Sequence, residues 1–277
     1  MRLQIINRNV DSIRLRVEGV SSAFANTLRR IILSEVPSMA IDEVVIVENS
    51  SVLHDEILAL RLGLIPLKTD LDSYNLPEEC SCKSDLGCNL CRVILTLDVE
   101  AKDQPRTVYS GDLVTENLEV SPVSQRIMIV KLAPSQKVRL EAYARLGKGK
   151  VHAKWQPVSV CTYRYMPSIR IGKDKCDACG ECVEICPRDI LVRDGDRIRT
   201  QNLIDCILCK DCVKVCKEDP PAIEVNSDED VFIFDVEANG VLPIERIVCE
   251  ALDTLHKKFE NLSESFRVEK DVPEGSN

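Results

Sequence analysis

The stretch CDACGECVEICP at residues 176–187 carries four cysteines in the spacing C-x2-C-x2-C-x3-C, closed by a proline. The same cysteine spacing returns at residues 206–216 in CILCKDCVKVC, thirty residues further along the chain. Three thiolates at two-residue gaps can hold three corners of a cubane iron–sulfur cluster, and the fourth cysteine of such a run crosses to the other cluster. The doubled spacing therefore predicts two [4Fe–4S] clusters.

The crossing rule predicts which cysteines share a cluster. The first cluster takes Cys176, Cys179, Cys182 and Cys216. The second cluster takes Cys206, Cys209, Cys212 and Cys186. Zinc on the paired Cys-x2-Cys steps and disulfides are the alternatives, but neither explains why the three-residue gap occurs in both runs. Lys217 follows the second run where the motif places proline, so we expect a different backbone exit there.

A second set of cysteines lies in a polar loop before a strand predicted from Arg92. Its spacing is C-x-C-x5-C-x2-C, and its members are Cys80, Cys82, Cys88 and Cys91. Four thiolates within twelve residues are typical of a closed zinc site, which can order a loop that has little core of its own. A disulfide pair or a loop without metal is the alternative. Cys161 and Cys249 have no partner at ligand spacing, so we expect both in an apolar core.

The composition is that of a globular protein. Of the 277 residues, 44% are apolar and 29% are charged, and this length allows one large domain or two to three small ones. No apolar run approaches the roughly 20 residues that a membrane helix needs. The first residues, MRLQIINRNV, lack a signal-peptide core. We therefore expect a cytoplasmic protein that does not associate with membranes.

Cysteine content and net charge favour metal binding and disfavour direct binding of nucleic acid. Fourteen cysteines without an export signal favour metal binding over a disulfide framework. The formal net charge is −9, and the lysines and arginines are spread rather than clustered. A protein that grips phosphates usually has a basic face. We therefore expect no direct sequence-specific binding of nucleic acid.

The two ends of the chain predict a hairpin, two helices and a strand. Residues 3–8 and 12–18 alternate as a β-hairpin. Ser21 or Ser22 caps a helix that runs to about Glu35. A strand over Val231–Val236 precedes a second helix, opened by Pro243, whose apolar stripe is sustained for five turns. This stripe is too long to pack only on the first hairpin, so we expect part of it to face another subunit.

The middle of the chain predicts two further regions. Residues 38–168 favour strands near 41–48, 92–99, 126–131, 136–143 and 158–165. A short helix near 54–62 ends at Gly63, a suitable C-cap. In residues 169–224, the Asp194–Gly195 pair predicts a hairpin between the two cysteine runs. Because 56 residues bury little core, we expect the clusters to serve as the scaffold of this region.

Three other stretches carry a family signature. They are SSAFANTLRRIILSEVPSMAIDEV at residues 21–44, LHDEILALRLGLIPL at residues 53–67 and GKGKVHAKWQPVSV at residues 147–160. Together they resemble the RNA polymerase α-subunit family, in particular its archaeal D-type members that carry a ferredoxin-like insertion. The resemblance implies an α+β fold, in which an α-subunit-type dimerisation domain is split by an inserted mostly-β domain and a ferredoxin-like two-cluster domain. The implied ranges are 1–37 with 225–277, 38–168 and 169–224, respectively.

The resemblance also implies a non-catalytic assembly subunit of DNA-directed RNA polymerase. Such subunits pair with a small α-like subunit, L, and then recruit the two large catalytic subunits with the help of small subunits N and P. The implied interface residues are Phe24, Leu28, Arg29, Arg30, Ile31, Ile244, Ile247, Val248, Ala251, Leu255 and Phe259. Eukaryotic relatives carry a four-cysteine zinc loop in the region of Cys80–Cys91. His152–Trp155 is either an interface with a large subunit or a tryptophan packed in the β-domain core.

No catalytic residues are predicted. The Asp-rich metal site that nucleotidyl transfer needs is absent from the sequence, and His54 and Asp55 point different ways on their helix. The alternative function is an iron–sulfur electron-transfer protein or an oxidoreductase subunit, since such clusters cover a wide range of potentials. No flavin or nucleotide signature accompanies the cysteine runs. In an assembly subunit, we expect the clusters to be structural, redox-regulatory for assembly, or both.

Overall fold

Helices and antiparallel sheets make up the computed structural model, which describes residues 1–84, 87–172 and 174–270, with side chains up to residue 266. This mixture is compatible with the α+β class. The chain divides into two units. The first comprises Met1–Arg8, Ile13–Asn26 and Thr162–Asp235, and the second comprises Asn9–Ser12, Thr27–Cys161 and the chain from Val236 onward. No helix among the described residues is long and apolar enough to span a membrane.

The elements follow one another along the chain in two groups. The first group runs to the middle of the chain: β1 (Arg2–Arg8), β2 (Ser12–Glu18), α1 (Ser22–Ser34), β3 (Pro37–Asn49), α2 (Asp55–Gly63), β4 (Arg92–Ala101), β5 (Arg106–Tyr109), β6 (Val114–Thr115), β7 (Met128–Leu132) and β8 (Gln136–Lys148). The second group completes it: β9 (Val158–Ile171), α3 (Glu181–Glu184), β10 (Leu191–Asp194), β11 (Arg197–Thr200), α4 (Asp211–Lys214), β12 (Ile223–Ala238) and α5 (Ile244–Lys270).

A four-stranded sheet in the order β1-β2-β12-β9 underlies the first unit. The hairpin predicted at the N-terminus is confirmed, with β1 antiparallel to β2. The buried side chains of β2 alternate with half-buried ones, which is the period of a strand with one covered face. On β9 and β12, Tyr163 and Tyr165 pack against Phe232, with ring centroids 5.6 and 5.0 Å apart.

A second, two-stranded sheet lies between the cysteine runs. β10 pairs with β11 in antiparallel register from Leu191↔Thr200 to Asp194↔Arg197, which confirms the predicted hairpin. Gly195 takes φ +59°, a left-handed value that favours glycine. The hydrophobic core here is small and includes thiols as well as aliphatic side chains: Ala178, Leu191, Ile198, Cys212, Ile223 and Val225.

The second unit is built on β8. This long strand pairs with β3 on one side and with β4 on the other, in a sheet of order β3-β8-β4-β6. Buried and exposed residues alternate along β4, so one face of the sheet is covered and the other is open. Leu58 and Leu62 of α2 are fully buried in the hydrophobic core that this sheet forms. The predicted strands of this region are confirmed, whereas β5 and β6 were not anticipated by the sequence.

The two long helices begin as the sequence predicts. The backbone N–H of Phe24 donates to Ser21 Oγ at 3.3 Å, so Ser21 caps α1. α5 begins directly after Pro243. Ile244, Ile247 and Ala251 are fully buried within the chain, whereas the later turns of the helix expose their apolar residues to solvent. The apolar stripe therefore has a covered first half and an open second half.

Two local predictions were wrong. Gly63 is the last helical residue of α2 rather than its cap, because the cap is Leu64 in a right-handed conformation. Cys249 is exposed rather than in the core. On a helix of 3.6 residues per turn, it points away from the buried stripe through Ile247 and Ala251. Cys161, in contrast, is buried as expected, and burial raises the pKa of its thiol to about 12.

The residues around Trp155 form a packed corner. Trp155 is buried, and its Nε1 donates to the Arg145 carbonyl at 3.2 Å. A Cβ at Gly147 would overlap the indole ring, and a Cβ at Gly149 would overlap the carbonyl oxygen of Leu33. The structure therefore shows the packed-tryptophan alternative for this segment. Both glycines are required by close packing.

Glu35, just after the end of α1, receives hydrogen bonds from two lysines. Its carboxylate accepts from Lys258 Nζ of α5 at 2.9 Å and from Lys150 Nζ at 3.3 Å. Burial acts to raise the pKa of Glu35, but the two ammonium groups outweigh burial and hold the pKa below its ordinary value of 4.5. A carboxylate with a lowered pKa stabilises the fold above its unfolded-state pKa, and this stability is lost as the pH falls through the folded-state pKa.

We expect Glu35→Gln to lower the free energy of unfolding by about 1 kcal/mol near pH 7, because both lysines are half exposed and solvent screens the pairs. Urea unfolding measures this cost. The difference from wild type should shrink as the pH falls through the lowered pKa of Glu35, because the wild-type carboxyl then becomes protonated as well. Glu116→Gln, at an exposed position with no ion pair among the described residues, is the control. A cost that stays constant with pH would contradict this account.

Candidate metal centres

Two cavities in the first unit are lined by the cysteines of the two runs. The first cavity is lined by Cys176, Cys179, Cys182 and Cys216. The second cavity is lined by Cys186, Cys206, Cys209 and Cys212. Each cavity thus receives three cysteines from one run and the fourth cysteine from the other run. This is the grouping that the crossing rule predicts.

The backbone of the two runs repeats the same turns. Ala178 and Gly180 in the first run have φ of +55° and +91°, and Leu208 and Lys210 at the equivalent positions of the second run have φ of +57° and +61°. Left-handed residues of this kind curl the backbone into the concave turns found at iron–sulfur sites. A short helix, α3 or α4, follows each pair. The two runs therefore form a structural repeat as well as a sequence repeat.

The thiols of each cavity raise the pKa of their neighbours. Burial raises the pKa of Cys212 to about 11, and Cys209 and Cys206 add to that effect through their charge. Burial likewise raises the pKa of Cys182, and its contributing neighbours are Cys176, Cys179 and Cys216. Four thiolates so close together oppose one another's ionisation unless cations neutralise them. Each set of four thiols is therefore a donor set for a cationic metal centre.

The exits from the two runs differ, as the substitution of lysine for proline predicts. In the first run, the backbone N–H of Ile190, four residues after Cys186, donates to that Sγ atom at 3.5 Å. In the second run, the N–H of Ala222, six residues after Cys216, donates to that Sγ atom at 3.3 Å. Lys217 itself forms an ion pair with Glu181. The longer segment after the second run thus still places one backbone N–H donor at the Sγ atom of its last cysteine, Cys216.

The third group of cysteines lies in the second unit. The Sγ atoms of Cys80, Cys82, Cys88 and Cys91 all lie within 4.8 Å of one another. Three of the separations are 3.7 Å (Cys80–Cys88), 3.8 Å (Cys82–Cys91) and 3.9 Å (Cys88–Cys91). A tetrahedral ion with metal–sulfur bonds of about 2.3 Å places its sulfurs about 3.8 Å apart. This loop can therefore hold one metal ion.

Backbone donors shape this loop. The Cys88 N–H donates to Cys91 Sγ at 3.1 Å, and Gly87 takes φ +74° directly before it. A hydrogen bond from the Ser84 backbone lowers the pKa of Cys82 to about 7, whereas burial raises the pKa of Cys91 to about 12. One thiol of the set is thus ready to ionise near neutral pH, while a buried one ionises only with a cation beside it.

The predicted interface residues fall into two groups. Most apolar ones are buried within this chain: Leu28, Ile31, Ile244, Ile247, Ala251 and Leu255. Phe24, Arg29 and Val248 are partly exposed, and Arg30 and Phe259 are exposed. The exposed apolar face of α5 continues beyond the predicted set to Leu262 and Phe266. Phe266 was missed, although its spacing of seven residues from Phe259 continues the helical stripe.

The fold and these centres place the chain in a known class. Residues 14–259 match the RNA polymerase Rpb3/Rpb11 dimerisation domain, and the chain belongs to that family. Its relatives include proteins named DNA-directed RNA polymerase subunit Rpo3 from three organisms. The identity is 40% for Archaeoglobus fulgidus (94% of this chain and 96% of the relative). It is 43% for Methanothermobacter thermautotrophicus, over 89% of this chain and 91% of the relative. It is 40% for Pyrobaculum arsenaticum, over 96% of each chain.

These matches confirm the resemblance to archaeal D-type subunits of RNA polymerase that the sequence stretches carry. The sequence motifs at residues 21–44, 53–67 and 147–160 all lie inside the matched range. The family's domain is by description a dimerisation domain of RNA polymerase subunits.

The loop site predicts a metal stoichiometry. A variant with the eight cysteines of residues 176–216 replaced by serine should still bind about one divalent ion per chain in tetrahedral thiolate geometry. Cobalt(II) titration reports that geometry through its absorption spectrum. Adding Cys91→Ser should abolish tight binding, while adding Cys161→Ser should not. Affinity should fall as the pH is lowered, because protons compete for the thiolates. Equal cobalt binding by both added variants would contradict the site.

Proposed function

We propose that this chain is a non-catalytic assembly subunit of DNA-directed RNA polymerase that pairs with the small α-like subunit L. The observation that carries this proposal is the open second half of α5. Phe259, Leu262 and Phe266 are 60, 52 and 62% exposed. They continue the stripe whose first half is buried within the chain. Three large side chains in line on one helix face are more than a soluble protein usually leaves to water.

The partner helix is expected to cover this face. Residues spaced three, four and seven apart lie on one side of a helix, so these side chains form a continuous strip. Such strips pack against helices of a partner by interdigitation of their ridges. The buried Ile244, Ile247 and Ala251 fix the first half of α5 within this chain, and the open strip follows on the same helix. On α1, Phe24 is partly exposed and is proposed as a further contact to subunit L.

Other exposed apolar residues suit later steps of assembly. Ile57 and Leu60 lie on α2, Leu64 caps that helix, and Val45 and Val47 lie on β3; all five are at least 46% exposed. On the family relationship, we assign such surfaces to the two large catalytic subunits and to small subunits N and P. Arg29 and Arg30 are proposed contacts to a large subunit. Nucleotidyl transfer then belongs to the large subunits, and the complex works in the cytoplasm.

The cysteine cavities would hold two [4Fe–4S] clusters, and the loop Cys80–Cys91 would hold zinc. Cys176, Cys179, Cys182 and Cys216 bind the first cluster, and Cys206, Cys209, Cys212 and Cys186 bind the second. Bound clusters of this type supply one-electron redox chemistry. They belong to a ferredoxin-like domain of residues 169–224, inserted with a β-rich domain of residues 38–168 into a dimerisation domain of residues 1–37 and 225–277. The clusters are structural, redox-regulatory for assembly, or both.

One observation favours a second candidate function, electron transfer. Cys179 and Cys209, one in each cavity, are exposed, so the proposed clusters would each reach the protein surface at one ligand. A surface ligand suits exchange of electrons with a redox partner. An electron carrier should co-purify with redox enzymes, whereas an assembly subunit should co-purify with polymerase subunits.

The open strip of α5 predicts a binding defect. We expect Phe259→Glu combined with Leu262→Glu to weaken the heterodimer with subunit L by at least about thirtyfold, because buried aromatic anchors carry a large share of binding energy. The melting temperature of the isolated chain should stay unchanged, since both side chains are exposed. Lys257→Glu, on another face of α5, is the matched control. Isothermal titration measures the affinity, and wild-type affinity in the double variant would contradict the assigned surface.

The cysteine cavities predict a selective effect on assembly. Replacement of Cys176, Cys179, Cys182 and Cys186 by serine should leave the heterodimer with subunit L intact and lower the yield of complete polymerase. The expected reason is that the loss of ligand bonds disorders the small first-unit core. Anaerobic reconstitution with purified subunits measures both steps, and Cys249→Ser controls for the loss of a surface thiol. Unchanged polymerase yield would contradict a regulatory role of the clusters.

A further inference from the structure

Four charged side chains connect the sheet of the first unit to the start of the second cysteine run. Arg14 Nε of β2 donates to Asp235 Oδ1 of β12 at 2.5 Å. Arg164 Nε of β9 lies 3.8 Å from the other oxygen of the same carboxylate. Arg14 also reaches Asp205, at 3.4 Å. Two arginines and two aspartates thus form one balanced network across three strands.

The second arginine continues the network to the polypeptide backbone. Arg164 Nη1 donates to the carbonyl oxygen of Ile204 and, at 3.4 Å, to that of Cys206. The Ile204 carbonyl lies within a tight turn over Leu203–Asp205, which follows Asn202 in a left-handed conformation, and the Cys206 carbonyl lies directly after that turn. Cys206 is the first proposed ligand of the second cluster. A guanidinium from the sheet therefore holds the carbonyls on either side of Asp205, the residue that leads into this ligand.

The first cysteine run starts differently. Its first ligand, Cys176, donates its backbone N–H to Gly172 at 3.1 Å, and Gly172 donates to Ala222 at 2.8 Å. The start of the first run is thus held by backbone hydrogen bonds. The start of the second run depends on side chains more than 200 residues apart, since Arg14 and Asp235 are separated by 221 positions.

We propose that Arg14, Asp235 and Arg164 form a clamp that positions Cys206, so that breaking the clamp loosens the second cluster and leaves the first in place. The inference rests on the proposed cluster ligation. Hydrogen bonds to charged groups are stronger than neutral ones, and Asp235 orients both arginines at once. Arg164 is a positioning residue, because it acts through the Cys206 backbone. Removal of its guanidinium releases two carbonyls together, because both accept from Nη1.

The test follows iron release from the intact, anaerobically purified chain. Wild-type protein should contain about eight iron atoms, four for each cluster, and should lose them to excess bipyridyl in two phases. Cys179→Ala and Cys209→Ala assign the phases to the first and second cavities. Arg164→Gln should speed the second-cavity phase about tenfold, since each charge-assisted bond contributes on this scale. The first-cavity phase should not change.

Three comparisons separate positioning from general destabilisation. Arg170→Gln removes an exposed arginine from the same strand and should release iron as wild type does. Arg164→Lys keeps the charge but cannot contact Asp235 and the two carbonyls through separate nitrogens, so it should give an intermediate rate. Asp235→Asn should also speed only the second-cavity phase. In addition, the reduced Arg164→Gln protein should show an altered electron paramagnetic resonance signal for the second cluster alone.

The contrary outcomes are distinct. Wild-type protein without iron would overturn the cluster assignment, and this inference with it. Iron-loaded wild type with the same release rates in Arg164→Gln and Arg170→Gln would overturn the clamp alone. Equal acceleration of both phases in Arg164→Gln would also overturn it, because a specific clamp acts on the second cavity only.

Discussion

The pairing of β2 with β12 is the constraint on which the first unit depends. These strands come from opposite ends of the chain, and backbone hydrogen bonds mark their alignment: Gly19 N–H to Asp230 at 2.9 Å and Ala238 N–H to Asp11 at 2.7 Å. The entropy cost of closing a loop grows only slowly with its length. Burial of side chains between the strands can therefore offset the cost of this long loop. The charged network of Arg14, Asp235 and Arg164 depends on this pairing, because Arg14 lies on β2 and Asp235 on β12.

The two cysteine runs add to the small hydrophobic core of the first unit. Between the strands of the first unit, the hydrophobic core is small; Cys212 is one of its members, and Cys176, Cys182 and Cys216 pack against it. Regions of this size rarely hold together on apolar burial alone, so metal–thiolate bonds are the natural supplement. The same reasoning applies to the loop Cys80–Cys91, which has few apolar residues and four sulfurs within 4.8 Å of one another. In both places, the proposed metal–ligand bonds would supplement a hydrophobic core that is small.

Sequence reasoning reached the local features and missed the long-range ones. The spacing of the cysteines predicted the two groups that line the cavities, because cluster ligands follow one another at short, characteristic intervals in the sequence. Periodicity predicted the hairpin, α1 and the start of α5. It could not predict that Arg14 binds Asp235, because the alternation of residues in β2 carries no information about a partner 221 positions away. Cys249 was misjudged because an apolar neighbourhood in sequence does not say which helix face a residue takes.

An assembly subunit of RNA polymerase should be bound to other polymerase subunits in the cell. Anaerobic affinity purification from the native host, followed by mass spectrometry of the bound proteins, tests this proposed role. We expect recovery of the two large polymerase subunits together with a small α-like chain. Recovery of dehydrogenases or other redox enzymes, without polymerase subunits, would contradict it and would assign the function to the iron–sulfur centres.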